Sequence, residues 1–220
     1  LEAAYAIKEM GLQVTVLERG EWLMRRQLDR RAGEFLRIIL VKMGIDIMTH
    51  AEVSSCFGEK KLDQIQLLNG CLLNSKILLL AAGINPNKQL AVEAGIDCNR
   101  GIMINDHLQT SDRNVFAVGD VSEHNGRVYG LWTTAADQAK IAAANVLGDQ
   151  QKFITASPST MLKVVGVNVY SAGEFEAQNG ADEYYFEDVK HRKYCKVVLR
   201  NHCVVGAIII GKIEYAEAIK

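Results

Sequence analysis

The feature that most constrains this chain lies within its first 18 residues. Leu1, Ala4, Tyr5, Ile7 and Lys8 recur at helical spacing, and Gly11 supplies a C-terminal stop. A short β-branched run follows, Val14-Thr15-Val16-Leu17, and it ends in a carboxylate, Glu18. A small-residue helix leading into a strand that ends in Glu is the pattern of the second half of a βαβ nucleotide-binding unit. There the acidic residue bonds the adenine ribose about 20 residues beyond a glycine loop. Counting back places that loop immediately before Leu1. Taken alone, Glu18 also fits an exposed strand-end carboxylate.

The next segments extend the alternation. Residues 28–43 place Leu28, Ala32, Phe35, Leu36 and Ile39 on one helical face, with Gly44 as the cap, and 45–48 reads as a strand. Short strands at 52–57, 64–68 and 71–74, the last two joined by Asn69-Gly70, predict an inserted antiparallel meander. The continuous apolar run 76–81 suits a parallel strand buried on both faces, ended by Gly83. A short helix is predicted over 87–94, and strands over 101–105 and 114–118, with Gly119-Asp120 at the carboxyl end of the second. Residues 133–147 form an alanine-rich helix capped by Gly148. Residues 149–159 read as a linker, followed by a strand at 162–170, a hairpin of 193–199 with 203–210 around Arg200-Asn201-His202, and a helix beginning at 214.

Composition excludes several classes. Lys+Arg 25 against Asp+Glu 26 leaves a formal charge of −1, so no global field holds nucleic acid or an anionic membrane. No apolar run reaches the ~20 residues that span a bilayer. The five cysteines, Cys56, Cys71, Cys98, Cys195 and Cys203, form no CxxC pair and read as small buried hydrophobes in a reducing cytoplasm. The five histidines show no metal-ligand spacing, and His124 reads as a loop residue.

Several segments together resemble the FAD-dependent pyridine nucleotide-disulfide reductase superfamily. Leu1-Glu2-Ala3-Ala4-Tyr5-Ala6 with Val14 to Glu18 is similar to its NAD domain. Leu80-Ala81-Ala82-Gly83-Ile84-Asn85-Pro86-Asn87 resembles the exit from that domain, and Thr110-Ser111-Asp112-Arg113-Asn114-Val115-Phe116-Ala117-Val118-Gly119-Asp120 resembles the second FAD motif. Leu131-Trp132-Thr133-Thr134-Ala135-Ala136-Asp137-Gln138-Ala139 looks like the flavin-facing helix of the branch that holds nitrite reductase large subunits, rubredoxin reductases and related NADH oxidases. Ser159 to Val167 and Ser171-Ala172-Gly173 resemble the C-terminal domain of the nitrite reductase-like members.

The resemblance implies an α/β fold, with truncated Rossmann-like NAD (1–83) and FAD (84–148) domains and a small α+β C-terminal domain (149–220). It implies electron flow from NADH through FAD to an acceptor, either a siroheme and iron–sulfur domain or a small redox protein. The alternatives are a rubredoxin reductase or NADH oxidase-like flavoprotein, and an inert fragment or half of a split protein. Asp120 would accept hydrogen bonds from the ribityl hydroxyls beside Gly119, with an Asx-turn residue as its other reading. Leu131, Trp132 and Thr133 would face the flavin at a helix N-terminus, and Trp132 also fits a core anchor. Gly83 would let NAD pass closely. Glu18 favours NADH, whereas Arg25 and Arg26 fit either a solvated pair or a 2′-phosphate site. Because the glycine loops would precede Leu1, the chain by itself is expected to be colourless and inactive. It is also expected to self-associate, with strands 14–18 and 76–81 separated either by an open gap or by another segment that fills it, such as one from a second copy.

Overall fold

The computed structural model describes residues 1–154, 159–164, 167–176 and 180–211. The chain divides into two compact units, Leu1–Leu78 with Ala156–Lys220, and Leu79–Thr155.

In the first unit, α1 (Glu2–Glu9) leads into β1 (Thr15–Leu17), which pairs in parallel with β2 (Asp46–Met48) across the crossover helix α2 (Arg30–Lys42). Helix α2 starts where Asp29, in extended backbone, accepts a hydrogen bond from the Ala32 N–H at 2.8 Å. It ends in a Schellman arrangement: Gly44 sits at φ +79° and the Ile45 N–H donates to the Leu40 carbonyl. Ala32, Phe35, Leu36, Ile39 and Leu40 form its buried face. That face packs with Val167, Val169, Tyr194, Ile208 and Ile210 of an antiparallel sheet of order β10-β11-β12-β9-β8. The sheet comprises β8 (Ser159–Val164), β9 (Val167–Gly173), β10 (Asp182–Asp188), β11 (Lys193–Arg200) and β12 (Cys203–Gly211). Asn201 and His202, both at positive φ, make the tight β11–β12 turn expected there.

The predicted meander is present as β3 (Val53–Phe57), β4 (Gln64–Leu67) and β5 (Leu72–Asn74). Its second turn uses three residues, with Gly70 at φ +83° and the Gly70 N–H donating to Leu67. In the second unit, the short helix α3 (Gln89–Glu93) precedes β6 (Ile102–Ile104). Strand β6 pairs in parallel with β7 (Ser122–His124), and α4 (Trp132–Val146) follows. Ile104, Leu108, Ala117, Ala142 and Phe153 form this unit's core.

Four sequence expectations are corrected. Residues 76–81 form no strand, and Ile77, Leu79 and Leu80 are exposed. An apolar run becomes a buried strand only where a ladder satisfies its peptide groups; β1 has its ladder with β2, and β1 and residues 76–81 do not pair. Residues 114–118 are extended but hydrogen-bond locally to the segment around Leu108 and Thr110, so parallel pairing begins only at β7. The single strand 162–170 is instead two antiparallel strands flanking 165–166, which lie outside the described residues, as does the helix expected from 214. The linker expected at 149–159 is corrected in one respect only: residues 149–154 carry no helix or strand, but Phe153 is buried and donates its N–H to the Asp106 carbonyl; residues 155–158 lie outside the described set. Strand β10 was not anticipated, because its residues are exposed on both faces and carry no period-2 apolar signal.

Candidate functional site

The site grows from one turn in the second unit. After the extended segment ending at Val118, Gly119 adopts φ +75° and opens a single 3₁₀ turn, Gly119–Val121, that feeds β7. Positive φ is cheap only for glycine. Both main-chain polar groups of Gly119 are engaged by side chains. Its N–H donates to Gln138 Oε1 at 2.7 Å, and its carbonyl accepts from Ser122 Oγ at 2.8 Å. A Cβ on Gly119 would stand 3.4 Å from the Ala135 Cβ, so α4 lies directly against the turn.

The strand after the turn is polar yet buried: Ser122, Glu123 and His124 are 0%, 4% and 2% exposed. Such groups stay buried only when hydrogen-bonded. Glu123 accepts from the Gly101 N–H at 2.8 Å and from Asn99 Nδ2 at 2.9 Å, and these bonds, the Gly101 N–H foremost, hold its carboxyl below the usual range. His124 Nε2 lies 3.0 Å from Asp106 Oδ1, and its ring meets the Phe153 ring edge-on. That contact depresses the Asp106 carboxyl. His124 is therefore a buried strand residue and not part of a loop.

Asp120 differs from these neighbours. It is exposed, and its carboxylate has no partner among the described residues. Helix α4 begins close by with no side-chain cap on its N-terminus, so its first N–H groups and partial positive charge stay open. Leu131, Trp132 and Thr133 at that end are exposed, Trp132 by 88%, which removes its reading as a core anchor. Gly83 sits at φ +92°, and Ile84 beside it reaches Gly130, where a Cβ would lie 3.3 Å from Ile84 Cδ1. The structure thus gathers Gly83, Gly119, Asp120, Leu131, Trp132 and Thr133 within the second unit.

Glu18 belongs to the first unit. Its backbone continues the β1–β2 ladder to Met48, and Oε1 accepts from the Gly20 N–H at 2.6 Å. The carboxylate is thereby oriented at the strand end. Arg25 lies over the same bend, since a Cβ on Gly20 would collide with the Arg25 side chain. The cysteines are not buried as expected: Cys56 and Cys203 are exposed and Cys71, Cys98 and Cys195 intermediate.

Four contributors were missed in the sequence. Gln138 is the one polar residue on the buried face of α4, where it breaks the Ala135/Ala142 stripe. Glu123 and His124 carry no signal short of their strand pairing. In the first unit, Lys196 falls in register with the buried Tyr194 and Val198 and bonds Asp29 at 2.6 Å and Glu183 at 2.7 Å. Its alternation with apolar residues was the available signal.

Comparison with known proteins identifies the family. Residues 1–139 match the family described as pyridine nucleotide-disulphide oxidoreductase, and residues 158–220 match the rubredoxin NAD+ reductase C-terminal domain. The chain is 34% identical over 212 residues to the assimilatory nitrate reductase electron transfer subunit of Bacillus subtilis, covering 96% of this chain and 28% of that protein. It is 31% identical over 220 residues to NADH-rubredoxin oxidoreductase of Clostridium acetobutylicum, covering 100% of this chain and 54% of that one. The crystal structure of the Clostridium acetobutylicum NADH:rubredoxin oxidoreductase superposes with a TM-score of 0.78 at 30% identity, over 99% of this chain and 53% of that one. The chain thus spans between about a quarter and about half of these relatives. With a match across 139 of its 220 residues, it belongs to the pyridine nucleotide-disulphide oxidoreductase family.

Proposed function

We propose that the chain is the nucleotide- and flavin-handling part of an NADH-dependent FAD oxidoreductase, most nearly the electron-transfer module of a nitrite reductase. The supporting observation is Asp120: an open carboxylate on a turn whose Gly119 N–H and carbonyl are both bonded by side chains, placed before an uncapped helix N-terminus. These residues fit a flavin. Asp120 accepts from ribityl hydroxyls, Gly119 allows close approach, and the α4 N-terminus favours negative charge at the ring edge. Leu131, Trp132 and Thr133 shield the ring. A flavin held there would supply hydride acceptance from NADH and onward electron transfer, with these residues positioning and tuning it. Glu18 bonds the adenine ribose of NADH, and Gly83 leaves room for the dinucleotide. The domain division that goes with this reading is 1–83 for NAD, 84–148 for FAD and 149–220 C-terminal.

The acceptor is a nitrite-reducing siroheme and iron–sulfur domain on this reading. A rubredoxin-like carrier is the second reading, favoured by the match of residues 158–220. A cytoplasmic setting agrees with five free cysteines. The test is anaerobic addition of NADH to the intact protein that carries this chain. Stoichiometric bleaching of flavin absorbance is expected, followed by reoxidation by nitrite and not by rubredoxin. Reoxidation by rubredoxin alone would select the second reading, and no bleaching by NADH would refute both.

A further inference from the structure

Helix α4 turns an alanine stripe toward the Gly119–Val121 turn and interrupts it once, with Gln138, which has no exposure. Burying an amide in place of another alanine is unfavourable unless its polar atoms are bonded. Oε1 accepts from the Gly119 N–H at 2.7 Å. Ser122 Oγ stands 3.3 Å from the same oxygen and 2.8 Å from the Gly119 carbonyl, and its single hydrogen goes to the nearer acceptor. Nε2 is buried with no acceptor among the described residues. The carboxamide is thus oriented by one strong contact, and that contact is to the residue whose φ of +75° sets the direction of the chain at Asp120.

We propose that Gln138 is a positioning residue. Through Gly119 it holds the Asp120 carboxylate toward the flavin hydroxyls, and so sets flavin retention without touching the flavin. The inference rests on Asp120 being a flavin contact. It makes the helix that covers the turn an active part of the cofactor site.

The experiment measures flavin release, and the visible circular dichroism of the bound flavin, in the loaded intact protein. The variants are Gln138→Met, Asp120→Ala and the two combined. Gln138→Met should speed release about tenfold, the worth of one hydrogen bond to a constrained group, and alter the dichroism. In the Asp120→Ala background the same change should add less than about twofold, because the lost bond acts through Asp120. Gln138→Glu, which keeps the acceptor for the Gly119 N–H, should recover most of the retention. If Gln138→Met does not fold, Ser122→Ala loosens the other side of Gly119 and should show the same dependence on Asp120. Additive effects, or unchanged release in Gln138→Met, would overturn the positioning role while leaving the site intact. Unchanged release in Asp120→Ala would overturn the site and the positioning role together.

Discussion

The two units treat buried polar groups in opposite ways. In the first, Lys196 is buried between Asp29 and Glu183, and Asp29 also caps α2. Burial pulls the Lys196 ammonium down, but the bonds to Asp29 and Glu183 outweigh it and hold the ammonium above its ordinary range. Arg31 adds a surface pair with Glu187 and lies over the Tyr185 ring at 3.6 Å. These charges are turned on one another, and they tie α2 to the antiparallel sheet. In the second unit, Ser122, Glu123, His124 and Gln138 also bond internally, yet together they brace a turn that leaves Asp120 unpaired. Closed polar clusters mark scaffolding. On the function proposed above, the braced carboxylate of Asp120 is left open for a ligand.

The contrast can be broken by substitution. The largest effect is expected at the closed cluster. Lys196→Met removes the buried ammonium that Asp29 and Glu183 share and should cost about 3 kcal/mol or more in urea unfolding, with flavin release unchanged among the molecules that remain folded. Asp120→Ala should do the reverse. It lowers flavin affinity ten- to a hundredfold, the worth of a charge-assisted bond of about 1.5–3 kcal/mol, and leaves the thermal midpoint of the flavin-free protein within a degree or two.

Glu123 sharpens the comparison through pH. Its folded pKa lies below the ordinary value of 4.5, so its contribution to stability is complete above that value and is lost as pH falls through the depressed one. Glu123→Gln should therefore cost about 1–2 kcal/mol at neutral pH, and the gap to the native protein should narrow in acid. A gap that widened as pH fell would contradict the assignment. The smallest effect is expected at Glu18, one of whose oxygens is already held by Gly20. Glu18→Ala should reduce the preference for NADH over NADPH by about 1 kcal/mol, read as the ratio of kcat/KM values. A native preference for NADPH would mean that Arg25, lying over the same bend, governs the pocket.

Much of this was legible in the residues because local chemistry was decisive. Glycines 44, 70 and 148 mark the ends and turns where positive φ is required, and they do so in the structure. The periodicity of α2 and the Asn201-His202 turn carried through for the same reason. The run 76–81 misled because apolar character says only that a segment can be buried, and strand formation depends on a ladder partner elsewhere in the chain. Gly119 and Asp120 stood out because residues 110–120 resemble a family motif, whereas Gln138, Glu123 and Lys196 did not stand out. Their significance comes from contacts 19, 22 and 167 residues apart; the local pattern hinted only at the burial of Lys196, through its alternation with apolar residues.

The central claim is that the Gly119–Asp120 turn before α4 receives a flavin. The most direct measurement is a crystal structure of the intact protein loaded with FAD. The account predicts an Asp120 carboxylate oxygen within hydrogen-bond distance, about 2.5–3.0 Å, of a ribityl hydroxyl, with the α4 N-terminus at the ring edge and the Gln138–Gly119 bond retained. Flavin bound elsewhere, with Asp120 still facing solvent, would contradict it.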